Sequence, residues 1–275
     1  MELTTEQFSK LSKLVYKKLG LQFDDKKIYF LNKRVEKRMT HLQLRTADEY
    51  LFQLGYCDAN GDEMQALANL ITTNETYMFR EYEQLGAFAD VCLPELVAAK
   101  QKTADRRIRV WCAGCSSGEE AYTLAVIIRE VFPDSKNWDI QIVATDIDEN
   151  MLQLARNAVY GDRSVKFVPA EYRKHLIPTA TGFRIDPETA KLVRFQKLNL
   201  NDQTQMKAMR GFDFVFCRNV LIYFDDVSQR NVVNNFYDAL NRNGYIFLGH
   251  SESIGRITSA FHLKKTEGHL LYRKE

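Results

Sequence analysis

The stretch Arg109–Val110–Trp111–Cys112–Ala113–Gly114–Cys115–Ser116–Ser117–Gly118–Glu119–Glu120 constrains this chain more than any other. An apolar strand runs into a loop of small residues, and the loop runs into an amphipathic helix expected over Glu119 to Phe132. Small residues let the backbone approach a ligand closely, and a helix N-terminus offers unpaired N–H groups. That arrangement holds a nucleotide-like ligand at the C-terminal edge of a parallel sheet. Glu119 and Glu120 would repel a pyrophosphate at the start of that helix. A ligand without phosphate and with a positive centre fits better, and S-adenosylmethionine is such a ligand.

A second strand supports this reading. The β-rich run Trp138–Asp146 ends in an acidic residue about one βαβ step after the loop, where a carboxylate accepts from both ribose hydroxyls of a nucleoside. Nicotinamide enzymes share this acidic residue but show Gly-x-Gly-x-x-Gly, and only Gly114 and Gly118 stand in the loop here. On the loop and Asp146 alone, a nucleoside site and an ordinary α/β turn of small residues are both open readings.

After residue 105 strands and helices alternate. Strands are expected at Ile108–Ala113, Ile140–Thr145, Phe212–Cys217 and Tyr245–Gly249, with helices at Glu119–Phe132, Asn150–Tyr160 and Ser228–Asn241. This predicts a doubly wound α/β sheet. The tail reads as a hairpin around Glu267–Gly268–His269, which adds an antiparallel strand. Between Val165 and Leu200 the alternation is interrupted. Phe183–Ile185 and Leu192–Phe195 read there as short antiparallel strands of an inserted β subdomain.

The first part reads as helices without strand signal. Thr5 caps a helix with apolar positions Phe8, Leu11, Leu14, Val15 and Leu19, ended by Gly20. A second helix, from about Asp25 to Leu44, buries Ile28, Leu31, Val35, Met39 and Leu42. Two more are expected at Ala47–Leu54 and Asp62–Ile71. The second helix carries Lys33, Arg34, Lys37 and Arg38, like charges at i, i+4 spacing. They read either as a docking face for an acidic partner or as a solvated helix face. The polar-to-aromatic junction Thr72–Arg80 leads into a helix interrupted at Pro94.

The net charge of +2 is too small to argue for nucleic acid. No long apolar run or N-terminal signal pattern occurs, so a cytoplasmic protein is expected. Five cysteines, an odd number, read as reduced thiols. Cys112 and Cys115 have Cys-x-x-Cys spacing, but no second Cys or His pair stands at zinc-site spacing, so no metal is expected.

Asn74-Glu-Thr-Tyr-Met-Phe-Arg80, Gly114-Cys-Ser-Ser-Gly-Glu-Glu120, Ala144-Thr-Asp-Ile-Asp148, Leu198-Asn-Leu200, Phe212–Asp225 (with Cys217-Arg-Asn-Val-Leu-Ile-Tyr-Phe224) and Gly249-His-Ser-Glu-Ser253 follow one another along the chain. In this order they resemble the CheR-type chemoreceptor glutamate methyltransferases, over essentially the whole length. The resemblance implies a methyltransferase sheet with an inserted small β subdomain, preceded by a small all-helical domain. Its boundaries would be 1–72 for a helical receptor-recognition domain, 73–105 for a linker and connecting helix, and 106–275 for the methyltransferase domain, with the insertion at about 165–197.

The implied reaction is methyl transfer from S-adenosylmethionine to glutamate side chains of chemoreceptor cytoplasmic helices, giving γ-methyl esters. Asn74, Thr76 and Arg80 resemble residues that close over the donor from the linker. Ala113, Gly114, Glu119, Asp146, Asn199, Leu200, Arg218 and Asn219 resemble the other donor contacts, with Glu120 as the alternative to Glu119. Arg80 and Tyr223 fall where the family places residues beside the transferred methyl. Receptor methylation regions are acidic helical bundles, which makes Lys33, Arg34, Lys37 and Arg38 complementary to them. Members that tether to a C-terminal receptor pentapeptide carry a longer glycine-rich loop where this chain has only Thr179–Ala180–Thr181–Gly182, so tethering is not expected.

Overall fold

The computed structural model describes residues 2–103, 105–266 and 269–275. Helix α1 (Thr5–Leu19) starts one residue earlier than the pattern suggests. Thr4, in extended conformation, is the cap, and it forms a reciprocal capping box with Gln7. Gly20 ends the helix at φ 74°. After a single 3-10 turn at Asp25–Lys27 come α2 (Ile28–Leu42), α3 (Ala47–Phe52) and α4 (Asp62–Ile71). Their apolar faces meet in one core that includes Phe8, Leu11, Leu31, Val35, Tyr50 and Leu67.

The linker leads into α5 (Tyr82–Ala87), a wide turn at Phe88–Cys92, and α6 (Leu93–Lys102). Pro94 lies in the first turn of α6, where its missing N–H leaves no bond unmade. Phe88 at this joint is fully buried, edge-on to Phe214, Phe216 and Phe247 of the sheet.

Strands β1 (Arg107–Ala113) and β2 (Asp139–Asp146) flank α7 (Glu119–Val131), and α8 (Glu149–Asn157) follows β2. Ala158, at φ 53°, then stops α8. Val159–Tyr160 is therefore strand β3 and not the end of a helix. After the short helix α9 (Asp162–Val165), β4 (Leu176–Thr179) and β5 (Gly182–Ile185) pair with it in a three-stranded antiparallel sheet ordered β3-β5-β4. Helix α10 (Pro187–Ala190) closes this insertion.

The next strand departs from the sequence reading. β6 (Val193–Lys197) is not antiparallel and not part of the insertion. It runs parallel to β2 as the edge of the main sheet, with Ile142 opposite Val193 and Asp146 opposite Lys197. Helix α11 (Gln203–Ala208), β7 (Phe212–Cys217), α12 (Asp226–Ala239), β8 (Leu240–Leu248), β9 (His262–Thr266) and β10 (His269–Arg273) complete the chain. The main sheet has seven strands in the order β6-β2-β1-β7-β8-β10-β9. β10 is antiparallel to both of its neighbours, as a closing hairpin requires. Glu267 and Gly268 of the expected turn lie outside the described residues.

Side chains alternate across β1. Ile108, Val110 and Cys112 enter the core shared with α7, while Trp111 and Ala113 enter the core shared with α12. Order along the sheet reverses between β1 and β7, so the loops after these strands diverge and leave a crevice at their C-terminal ends.

The helical domain is stitched to that edge. Gln22 N donates to the Tyr223 carbonyl at 3.1 Å, and Leu21 forms an isolated antiparallel bridge with Phe224. Tyr16 Oη donates to Asp225 at 2.9 Å, and Asn199 Nδ2 donates to the Lys18 carbonyl at 2.8 Å. Among the described residues no helix is long and apolar enough to cross a membrane.

Candidate functional site

The crevice opens into a cavity of about 560 Å³ at the ends of β1, β2 and β7. Residues of the helical domain, including Leu21, Phe23 and Phe30, wall one side, and residues 72–80 of the linker wall another. Two glycines shape the loop after β1. Gly114 has φ 84°, and a Cβ there would lie 2.5 Å from Val220 Cγ2. Gly118 has φ 92°, and a Cβ there would meet Ala155 and Phe195 at 2.9 Å. Only glycine provides both the left-handed conformation and the clearance.

Asp146, at the end of β2, lines the cavity and is 8% exposed. It accepts from Ser116 N at 2.7 Å and from Asp148 N at 2.9 Å. Burial pushes its carboxyl above the usual range, and these two N–H donors offset part of that. Asn74 ties the linker to both loops. Its Nδ2 donates to Asp148 at 2.9 Å, and its Oδ1 accepts from Ser116 Oγ at 3.2 Å. Thr76 lies on the same wall.

Behind the linker lies a charge cluster. The Arg218 side chain, 3% exposed, donates to the Arg80 carbonyl at 2.6 Å, to Glu81 at 3.1 Å and to Glu120 at 3.2 Å. Its Nε is buried without a partner. Burial works against the charge of Glu81, but Arg218, with His250 and Arg80, holds its carboxyl below the usual range. At Glu120 burial wins: its carboxyl is pushed up, and Arg218 offsets only part of the shift. Phe79 and Glu81 bracket Arg80 at φ 60° and 54°, a conformation costing a non-glycine residue on the order of 1–3 kcal/mol. Phe79 N donates to Thr123 Oγ1 at 3.1 Å and its ring stacks on Tyr172, which together with the Glu81–Arg218 pair holds this turn.

The two members of the acidic doublet point to different places. Glu120 lines the cavity, whereas the Glu119 side chain turns away, accepting from Ser117 Oγ at 2.7 Å and Ser164 Oγ at 2.9 Å. Adjacent helix positions point about 100° apart, and α7 docks with Glu119 toward the insertion. Ala113 is also off the lining; it is 1% exposed in the core beneath α12.

Asn199, Leu200, Arg218, Asn219 and Tyr223 all reach the cavity together with Gly114 and Arg80. The Asn199 side chain is engaged with Lys18 and with Asn201 N, so it anchors its own loop. Asn219 has φ 61°, a left-handed position that asparagine tolerates. Glu252 holds it there. One carboxylate accepts from the backbone N–H groups of Asn219, Val220, Leu221 and Gly249, all at 2.7–2.9 Å. Glu252 stands in the Gly249–Ser253 motif, but nothing in its local pattern shows that it braces a loop thirty residues upstream.

The basic face of α2 divides in two. Lys33 and Lys37 are exposed, and Lys33 Nζ lies 4.5 Å from the Tyr29 ring centroid. Arg38 is not free. It makes a paired contact with Glu63, itself 6% exposed, at 3.0 and 2.6 Å. Arg34 lies 3.7 Å over the Phe30 ring and donates to the Phe30 and Leu70 carbonyls. Both arginines are structural contacts of the helical domain.

A parallel sheet in this order, closed by an antiparallel strand and with a small-residue loop and an acidic strand end at its crevice, defines a nucleoside-binding methyltransferase domain. The family described as "CheR methyltransferase, SAM binding domain" matches residues 74–269, and "CheR methyltransferase, all-alpha domain" matches residues 6–72. The chain belongs to the CheR methyltransferase family. It is 38% identical over 265 residues to "Chemotaxis protein methyltransferase 2" of Vibrio cholerae, covering 96% of this chain and 91% of that one. It is 32% identical to "Chemotaxis protein methyltransferase" of Borreliella burgdorferi, covering 92% and 90%. It is 31% identical to the protein of the same name from Escherichia coli, covering 96% and 90%.

Proposed function

We propose that this S-adenosylmethionine-dependent enzyme methylates glutamate side chains on the acidic cytoplasmic helices of chemoreceptors. Residues 1–72 would form the recognition domain, 73–105 the linker and 106–275 the methyltransferase domain, working in the cytoplasm without a tether to the receptor tail. The observation that carries this reading is the meeting of Arg80, Tyr223, Glu120 and Asp146 around one cavity. The residues fit the donor. Glu120 is half-buried at the cavity wall, where its ion pair with Arg218 offsets only part of the cost of burying its charge, and Arg218 has a spare buried donor at Nε. A ligand with a cationic centre and a carboxylate tail would satisfy both.

The donor supplies a methyl group on a sulfonium, and the ester C–O bond forms as the methyl–sulfur bond breaks. A glutamate carboxylate is already ionised at neutral pH, so no general base is required. Catalysis then rests on alignment. In this proposal Asp146 holds the ribose hydroxyls, and Asn74 and Thr76 keep the linker closed over the donor. Gly114, Leu200 and the Asn199 and Asn219 backbones shape the wall. Glu120 takes the contact that the family resemblance gives to Glu119. Arg80 positions the incoming carboxylate, and Tyr223 flanks the methyl. An Arg–carboxylate pair that bound the ground state as tightly as the transition state would not raise the rate, so Arg80 orients and does not activate.

The test is incubation with radiolabelled donor and chemoreceptor membranes, followed by release of volatile label in base. Label released as methanol is expected, and label that resists base would overturn the reading.

A further inference from the structure

We infer that a ledge beside the cavity mouth, built from Lys166, Phe167 and Tyr77, docks the acidic helical segment that carries the substrate glutamate. The inference rests on the function proposed above and adds a second contact surface, built from the linker and the turn after α9 and not from α2.

Phe167 is 55% exposed, while its neighbours Val165 and Val168 are the buried residues of that turn. A lone exposed ring is ordinary; this one is not alone. Its centroid lies 5.1 Å from that of Tyr77. Lys166 Nζ lies 5.4 Å from the Phe167 ring, and Arg80 Cζ lies 6.0 Å from the Tyr77 ring. A strip of cation, ring, ring and cation therefore runs from the surface to the cavity, whose lining already includes Tyr77 and Arg80.

The strip joins two separate parts of the chain and is rigidly backed. Met78 N donates to the Ser164 carbonyl at 2.8 Å, and Ser164 Oγ donates to Glu119 at 2.9 Å. Buried Glu119 thereby fixes the segment carrying Phe167 to the start of α7. A surface that is already ordered loses little entropy when it binds.

The chemistry of the strip selects its occupant. Cations at both ends favour an acidic segment, and the paired rings offer an apolar seat. A helix repeats a face every three to four residues and rises about 5.4 Å per turn, close to the 5.1 Å between the two rings. A helix that places a glutamate at Arg80 would set side chains about one and two turns away onto Tyr77 and Phe167. Lys26 and Lys27 of the helical domain also line the cavity, which adds to the positive charge an acidic segment would meet.

The experiment compares wild type with Phe167→Ser and Lys166→Glu in steady-state methylation of chemoreceptor membranes, with S-adenosylhomocysteine titrated calorimetrically into each protein. Each substitution is expected to raise KM for receptor by about five- to tenfold, the scale of a moderate interface contact. S-adenosylhomocysteine affinity, thermal unfolding and kcat at saturating receptor are expected to match wild type. Wild-type KM in both variants would overturn the ledge while leaving the proposed function intact. A wild-type enzyme that methylates no receptor would overturn both. Should Phe167→Ser lower the unfolding temperature, Lys166→Glu decides, since its side chain is exposed.

Discussion

Glu252 holds Asn219 from 33 residues away in sequence, its Oε2 accepting the Asn219 N–H at 2.8 Å. The same carboxylate caps Val220 and Leu221, so the loop leading to Tyr223 is set by one side chain. In Glu252→Gln an NH2 group must face part of this ring of donors. Leaving them unmet costs about 1–3 kcal/mol, or a few degrees of unfolding temperature for a chain of this size. Donor affinity and kcat should fall by more than that loss of stability explains. Calorimetric titration and single-turnover rates below the unfolding range check this.

Asp146→Ala is expected to weaken S-adenosylhomocysteine binding by about 1.5–3 kcal/mol, the range for a hydrogen bond to a charged group. Because Asp146 also holds Ser116 N, Asp146→Asn, which keeps one acceptor, should lose less. Unchanged affinity in both variants would remove Asp146 from the ribose site.

Arg80→Ala and Tyr223→Phe should reduce single-turnover methyl transfer sharply while thermal unfolding stays near wild type. Both residues are partly exposed at the cavity, so neither is a core contact whose loss would unfold the domain. Normal chemical rates in both would show that alignment comes from elsewhere.

On α2, Lys33→Glu with Lys37→Glu should lower receptor methylation and reduce its salt sensitivity, because a screened surface attraction is what exposed lysines provide. Donor affinity should not move. Arg38→Ala should instead lower stability, by about 1.5–3 kcal/mol, since it strands the Glu63 carboxylate with only Tyr50 Oη as a side-chain donor. Methylation at several salt concentrations and chemical denaturation separate the two effects.

The insertion carries an acid-labile latch. Burial opposes the charge of Asp186, but Thr189, His175 and Arg129 hold its carboxyl below its ordinary value of 3.8. A lowered carboxyl contributes stability above the unfolded-state value and loses it as pH falls through the folded one. Wild type should therefore unfold at a higher temperature than Asp186→Asn at neutral pH, and the gap should close below about pH 4. A gap independent of pH would show that the Asp186 charge is not what latches the insertion.

The strand–loop–helix at residues 109–120 and the alternation after it are legible in the sequence because they depend on local signals: small residues, turn chemistry and periodicity. The direction of β6 is not, because it is decided by the partner, and Val193–Lys197 finds β2 fifty residues away. Choosing between Glu119 and Glu120 needs the docking angle of α7, which two adjacent glutamates cannot encode. Arg38 reads as a free surface charge because Glu63 belongs to another helix. Most residues of the cavity stand in recognisable motifs, whereas Glu81 and Glu252, which brace them, carry signals too short to read alone.

The stitches between residues 16–22 of the helical domain and the segment Tyr223–Asp225 bear on how such proteins can be recombined. Gln22, Leu21 and Tyr16 meet three consecutive residues at the catalytic edge. A chimera crossed over in the linker would separate each of these pairs, although no bond of the sheet would be broken. Grafting the helical domain of a relative onto this catalytic domain therefore requires carrying over the 223–225 segment as well. The unit that can be exchanged intact is a discontinuous one, closed through space.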